Sequence, residues 1–167
     1  MIALSPPLAV VLFLKHDGET TTLGENLARV IQPPCTLTLS GPLGSGKTTF
    51  CQGFIHGKGY AERVKSPTYT LCEVYPLAKN TMIYHFDLYR LQDFSDWEVL
   101  GFDDILPSNS RENTNAQSII LIEWPERLGQ NIMTDLHIAF EMLPQCRIVA
   151  LTPHTPKGAA CLLALFA

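Results

Sequence analysis

The sequence predicts a three-layer α/β domain on a central sheet that mixes parallel and antiparallel strands. Three observations lead there. The run Gly41-Pro42-Leu43-Gly44-Ser45-Gly46-Lys47-Thr48 fits the phosphate-binding loop pattern G-x-x-x-x-G-K-[ST] and stands between a strand-like and a helix-like segment. The continuous apolar run Ile119-Ile120-Leu121-Ile122 belongs to a strand covered on both faces. Two pairs of alternating segments, Thr70 to Tyr75 with Thr81 to Tyr89 and Thr134 to Met142 with Cys146 to Leu151, read as antiparallel hairpins. Together they describe a domain of the P-loop NTPase-like kind, with too many hairpins for the regular alternation of a larger NTPase.

In chain order, Leu8 to Leu14 is a first strand, and Gly18 to Thr22 turns into a helix opened by the capping-box pattern Thr22-Leu23-Gly24-Glu25. Leu23, Leu27 and Val30 mark the apolar face of that helix. Cys35 to Ser40 alternates and enters the loop as a strand. After the loop, Phe50, Cys51, Phe54 and Ile55 recur at helical spacing until Gly57 and Gly59 end the pattern. Pro67 holds Ser66 extended in the loop Lys65 to Tyr69. The first hairpin follows, its strands joined through Pro76 to Asn80. Asp93 to Leu100 reads as a short helix with Phe94, Trp97 and Leu100 on one side, stopped by Gly101. Gln117 to Glu123 is the covered strand, and the second hairpin turns around Pro144 before a short apolar C-terminal helix.

The 167 residues fit one domain, expected to span 1–167, long enough to bury about 70% of the unfolded surface without staples. Cys35, Cys51, Cys72, Cys146 and Cys161 are odd in number and share no C-x-x-C spacing, which points to reduced thiols in a cytoplasmic protein. The apolar stretches Leu8 to Leu14 and Cys161 to Ala167 are too short to span a bilayer, so no membrane partner is expected. A net charge of −4, with twelve scattered Lys and Arg residues, offers no footprint for gripping DNA or RNA directly.

The loop specifies its ligand. Gly41, Gly44 and Gly46 permit backbone conformations that aim successive N–H groups at phosphate oxygens, at a helix N-terminus whose dipole favours anions. Lys47 adds a mobile charge for the β- and γ-phosphates, and the Thr48 hydroxyl suits one position on an octahedral Mg²⁺. Such a site needs an acid at the end of a neighbouring strand. Glu123 follows the fully apolar run, where a carboxylate is costly to bury unless it is paired or metal-bound. Asp87 ends an alternating strand and has two readings, a metal-site acid or a surface carboxylate paired with Arg90. Ser66 to Thr70 is either a switch segment sensing the γ-phosphate or an ordinary hydroxyl-rich turn. His85, between Tyr84 and Phe86, reads as a packed or hydrogen-bonded strand histidine rather than a general base. Trp124 either packs beside the nucleotide or covers the sheet edge.

Four segments in this order, Gly41 to Thr49, Val64-Lys65-Ser66-Pro67-Thr68-Tyr69-Thr70-Leu71, His85-Phe86-Asp87-Leu88-Tyr89-Arg90-Leu91 and Ile122-Glu123-Trp124-Pro125-Glu126, are similar to the TsaE family, also called YjeE. The resemblance covers about Thr20 to Arg127, and the C-terminal hairpin agrees in pattern. It implies a small bacterial P-loop ATPase that acts with the TsaB and TsaD proteins in making N6-threonylcarbamoyladenosine at position 37 of tRNA. In that family the protein does not perform the transfer itself. It binds the TsaB–TsaD assembly, meets tRNA only through it, and hydrolyses ATP there to reset it between cycles.

Residue by residue, the resemblance implies that Gly41, Pro42, Leu43, Gly44, Ser45, Gly46, Lys47, Thr48 and Thr49 cradle ATP. It makes Thr48 and Glu123 the Mg²⁺ ligands and Asp87 a Walker-B-like acid on the same metal. Thr68 becomes the switch hydroxyl, Trp124 the aromatic beside the site, and Thr20 a threonine near the nucleotide. One departure stands out: the family commonly has an acid after the first loop glycine, where this chain has Pro42. The main rival reading is a small-molecule or nucleoside kinase using the same loop, and a second is a nucleotide-gated interaction module with negligible turnover. Such kinases carry a lid with several arginines, whereas Arg63, Arg90, Arg111 and Arg127 are isolated from one another in sequence.

Overall fold

The computed structural model describes residues 9–91, 105, 117–129 and 132–167. Seven strands form one sheet: β1 (Val10–Leu14), β2 (Cys35–Ser40), β3 (Cys72–Pro76), β4 (Met82–Asp87), β5 (Ser118–Glu123), β6 (Leu136–Met142) and β7 (Arg147–Pro153). Among the described residues three α-helices accompany them: α1 (Asp17–Val30), α2 (Lys47–Gly57) and α3 (Pro156–Leu165). The spatial order is β1-β7-β6-β2-β5-β4-β3. The inner strands β6, β2, β5 and β4 run parallel, and antiparallel β3 flanks them on one side and the β7–β1 pair on the other. This is the mixed sheet the sequence predicts, with both hairpins formed.

Period-two alternation sorts the strands between two cores. Leu37 and Leu39 of β2, Ile119 and Leu121 of β5, and Leu136 and Ile138 of β6 pack with Leu27, Phe50, Phe54 and Ile55 of the helices. Ile120 and Ile122 of β5 face the other way, with Phe86, Leu88, Leu91 and Leu128. Strand β5 serves both cores, which is why its sequence is apolar without a break. No helix among the described residues is long and apolar enough to cross a membrane.

Helix α1 departs from expectation. It begins at Asp17, with His16 as N-cap, rather than at Thr22. The Glu19 carboxylate accepts a hydrogen bond from the Lys15 backbone N–H, and Asp17 and Glu19 place acid in the first turn, where the helix dipole favours it. Packing decides the matter. A Cβ on Gly24 would lie 2.3 Å from the Phe50 carbonyl oxygen, and one on Gly53 would lie 2.3 Å from that of Thr21. The two helices touch backbone to backbone through their glycines, so the Thr20–Thr22 stretch is helical to complete the contact. The helix expected over Asp93 to Leu100 lies outside the described residues, as does Leu8 at the start of the first strand.

Gly53→Ala tests that contact. Alanine gains up to about 1 kcal/mol in helix propensity, while overpacking costs about 1–3 kcal/mol. Net destabilisation is expected, lowering Tm by a few degrees at about 2–4 °C per kcal/mol for a chain of this size. Thermal unfolding checks it, and an unchanged or raised Tm would show that α1 and α2 separate freely.

Candidate functional site

The C-terminal ends of β2, β5 and β4 lie side by side, and the chain's polar residues gather there. Strand β2 ends at Ser40, Gly41 to Gly46 turn, and α2 starts at Lys47. Gly46, the N-cap of α2, has φ 105°, a left-handed conformation that strains any side-chain-bearing residue. A Cβ on Gly41 would come within 2.5 Å of the Phe140 carbonyl oxygen. The loop is thus held against β6, with the first N–H groups of α2 open to a ligand. The Ser45 hydroxyl is buried and has no hydrogen-bond partner among the described residues.

Lys47 is 4% exposed. Its ammonium donates to the carbonyl oxygens of Gly41 at 2.8 Å and Pro42 at 2.9 Å and sits 4.0 Å over the Trp124 ring. Burial pushes its pKa down, and the Glu123 and Asp87 carboxylates push back. Trp124 therefore packs at the site rather than over the sheet edge. Its backbone is left-handed at φ 60°, ψ 50°, and its N–H donates to the Leu39 carbonyl on β2. The strained turn of the chain aims the ring at Lys47.

Glu123 and Asp87 are register neighbours on the parallel strands β5 and β4, 2% and 3% exposed. Buried carboxylates need partners. Glu123 Oε2 accepts the Thr48 hydroxyl at 3.0 Å, and His85 Nε2 lies 2.9 Å from Oε1. Asp87 Oδ2 accepts the Thr68 hydroxyl at 2.6 Å, and Oδ1 accepts the Tyr89 N–H at 3.0 Å. The surface reading of Asp87 fails, because β3 covers the outer edge of β4 and makes its end an interior position. Arg90 turns to the Tyr69 ring instead, 4.2 Å from its centroid.

A cavity of about 250 Å³ joins these groups. Leu43, Gly44, Ser45, Gly46, Lys47, Thr48 and Thr49 line it together with Thr68, Asp87, Glu123 and Trp124. Three expected residues are not in its lining. Gly41 and Pro42 hold the Lys47 ammonium, and Thr20 is fully buried, accepting a hydrogen bond from Arg147 Nη1 at 3.3 Å.

Sequence reading missed Asp17, Tyr89 and Arg147, which line the same cavity. Arg147 opens β7, pairs with Asp17 at 2.5 Å, and leaves its buried Nε without a hydrogen-bond partner among the described residues. No local pattern marks it. The hairpin could have, since a strand returning antiparallel from β6 starts at the same sheet end as the loop.

Chemically, the arrangement offers an ammonium, a guanidinium and helix N–H groups for phosphates, beside a hydroxyl and two carboxylates. An all-oxygen donor set suits a hard cation such as Mg²⁺, and the unpaired Ser45 hydroxyl suits a polar ligand in the loop.

The family model described as "Threonylcarbamoyl adenosine biosynthesis protein TsaE" matches residues 14–148. The tRNA threonylcarbamoyladenosine biosynthesis protein TsaE of Haemophilus influenzae is 43% identical over 122 residues, 72% of this chain and 71% of that one. The protein of the same name from Bacillus subtilis is 35% identical over 133 residues, 80% of this chain and 70% of that one. A crystal structure of Bacillus subtilis YdiB superposes with TM-score 0.76 at 24% identity, covering 97% of each chain, which shows a common fold.

Proposed function

This chain belongs to the TsaE family of threonylcarbamoyl adenosine biosynthesis proteins, and from that premise we propose that it binds ATP with Mg²⁺ and hydrolyses it in support of the N6-threonylcarbamoyladenosine modification of tRNA, acting with the TsaB and TsaD proteins. The observation that carries the reading is the meeting of Lys47, Thr48, Asp87 and Glu123 in one cavity at the mouth of a glycine loop. Lys47 and the loop N–H groups bind the phosphates, Thr48, Glu123 and Asp87 hold the cation, and Thr68 senses the γ-phosphate end. Trp124 walls the site and excludes water beside Lys47. Magnesium, when bound, supplies charge neutralisation on the β- and γ-phosphate oxygens. The 1–167 chain works as one ATPase domain in the cytoplasm and meets tRNA through its protein partners.

A pull-down from bacterial lysate, with and without a non-hydrolysable ATP analogue, tests the partner assignment. Recovery of TsaB and TsaD supports it, and recovery of a metabolic enzyme in their place would favour the kinase reading. Product analysis with ATP, Mg²⁺ and candidate acceptors separates phosphate release from phosphoryl transfer.

Glu123→Ala and Asp87→Ala should lose hydrolysis by more than they lose ADP binding, because metal ligands act on charge that develops during phosphoryl transfer. Glu25→Ala, on α1 away from the site, serves as control. Full partner-stimulated phosphate release by either variant would remove that residue from the metal site.

A further inference from the structure

We infer that His85 is a positioning residue that fixes the Glu123 carboxylate in the orientation its cation needs. The inference rests on the reading of the site given above. His85 sits on β4 two residues before Asp87, so the two share a face of the strand. It is fully buried and does not line the cavity, which leaves it no route to a reacting proton. What it does reach is Glu123, at 2.9 Å from Nε2 to Oε1.

The other contacts explain why this one matters. Glu123 Oε2 is held by the Thr48 hydroxyl, and that hydroxyl and that oxygen are the two groups that would hold a cation in the proposed site. The Thr48 bond is therefore conditional, while the His85 bond lies on the opposite oxygen and persists. The ring's Nδ1 is buried without a hydrogen-bond partner among the described residues. A carboxylate only accepts, so the hydrogen in this bond belongs to Nε2. Cys51 of α2 packs within 4.8 Å of both the His85 and Glu123 ligating atoms. Groups that hold a metal ligand in this way typically change metal affinity or activity 10–100-fold when replaced.

His85→Gln and His85→Asn, in the full chain, separate this role from packing. Glutamine keeps an N–H at about the reach of Nε2, whereas asparagine is one carbon shorter and falls short of Glu123. The readouts are ADP affinity by calorimetry with and without Mg²⁺, and phosphate release across a Mg²⁺ titration. His85→Asn is expected to raise the half-saturating Mg²⁺ concentration about 10–100-fold, with Mg²⁺-free ADP affinity within about threefold of wild type, a difference under roughly 0.7 kcal/mol. His85→Gln is expected to recover most of the loss. In a Glu123→Ala background, His85→Asn should add nothing, because its effect passes through the missing carboxylate. Equal Mg²⁺ dependence in both variants and wild type, or an undiminished His85→Asn effect without Glu123, would overturn the positioning role alone. A wild-type protein whose nucleotide binding ignores Mg²⁺ would overturn the metal reading and this inference together.

Discussion

Lys47→Ala should all but eliminate nucleotide binding, the largest effect expected of any single substitution in this chain. The ammonium is almost wholly buried, and its neighbours on the far side are two carboxylates that are themselves buried. Removing it deletes the positive charge nearest the loop and leaves Glu123 and Asp87 facing an incoming polyphosphate. Each hydrogen bond from a charged donor is worth about 1.5–3 kcal/mol, so losing two lowers affinity by on the order of a hundredfold or more. Calorimetric titration with ATP measures it. A dissociation constant within about threefold of wild type, under roughly 0.7 kcal/mol, would refute the role of Lys47. The contacts of the ammonium with the Gly41 and Pro42 carbonyls predict a companion result. Those bonds tether the loop, so the variant's loop should exchange its amide hydrogens faster even without nucleotide.

The isolated chain should hydrolyse ATP slowly, and the TsaB–TsaD assembly should accelerate it. No glutamine lines the cavity among the described residues, so no side chain of the usual kind orients an attacking water. Arg147 does reach the cavity, which chain order alone did not suggest, but Asp17 and Thr20 hold it. The Thr68 hydroxyl is similarly engaged with Asp87 and must leave that bond to meet a γ-phosphate. A cation supplied by a partner is worth about 10³–10⁵ in rate in other P-loop enzymes, and a partner that orders Ser66 to Thr70 would add to it. Steady-state phosphate release is compared for the purified chain, for the chain with the assembly, and for Thr68→Ala with the assembly. Equal turnover with and without partners would refute activation, and an unaffected Thr68→Ala would remove the switch role.

Much of this site was legible in the sequence because its signals are local. Glycine spacing, a following Lys-Thr pair and a strand-to-helix change of period define the loop within a dozen residues. An acid that closes an apolar run announces a buried carboxylate, so Glu123 was readable. Asp87 was ambiguous because its strand alternates, and alternation tells which face a residue occupies but not whether another strand covers it. Only the order of the strands made β4 an inner strand and set Asp87 beside Glu123.

The start of α1 shows the same division. Thr22-Leu23-Gly24-Glu25 satisfies a capping pattern, yet the helix runs through it because α2 presses against Thr21 and Gly24. By itself the sequence determined the loop, the covered strand closing in Glu123 and the two hairpins, since each follows from hydrogen-bond geometry and side-chain period over a few residues. Tertiary structure alone decided the partners: His85 for Glu123, Thr68 for Asp87, and Arg147 for a threonine 127 residues away. Those pairings depend on strand order and register, and a period of two encodes a side chain's face but not its neighbour on the next strand.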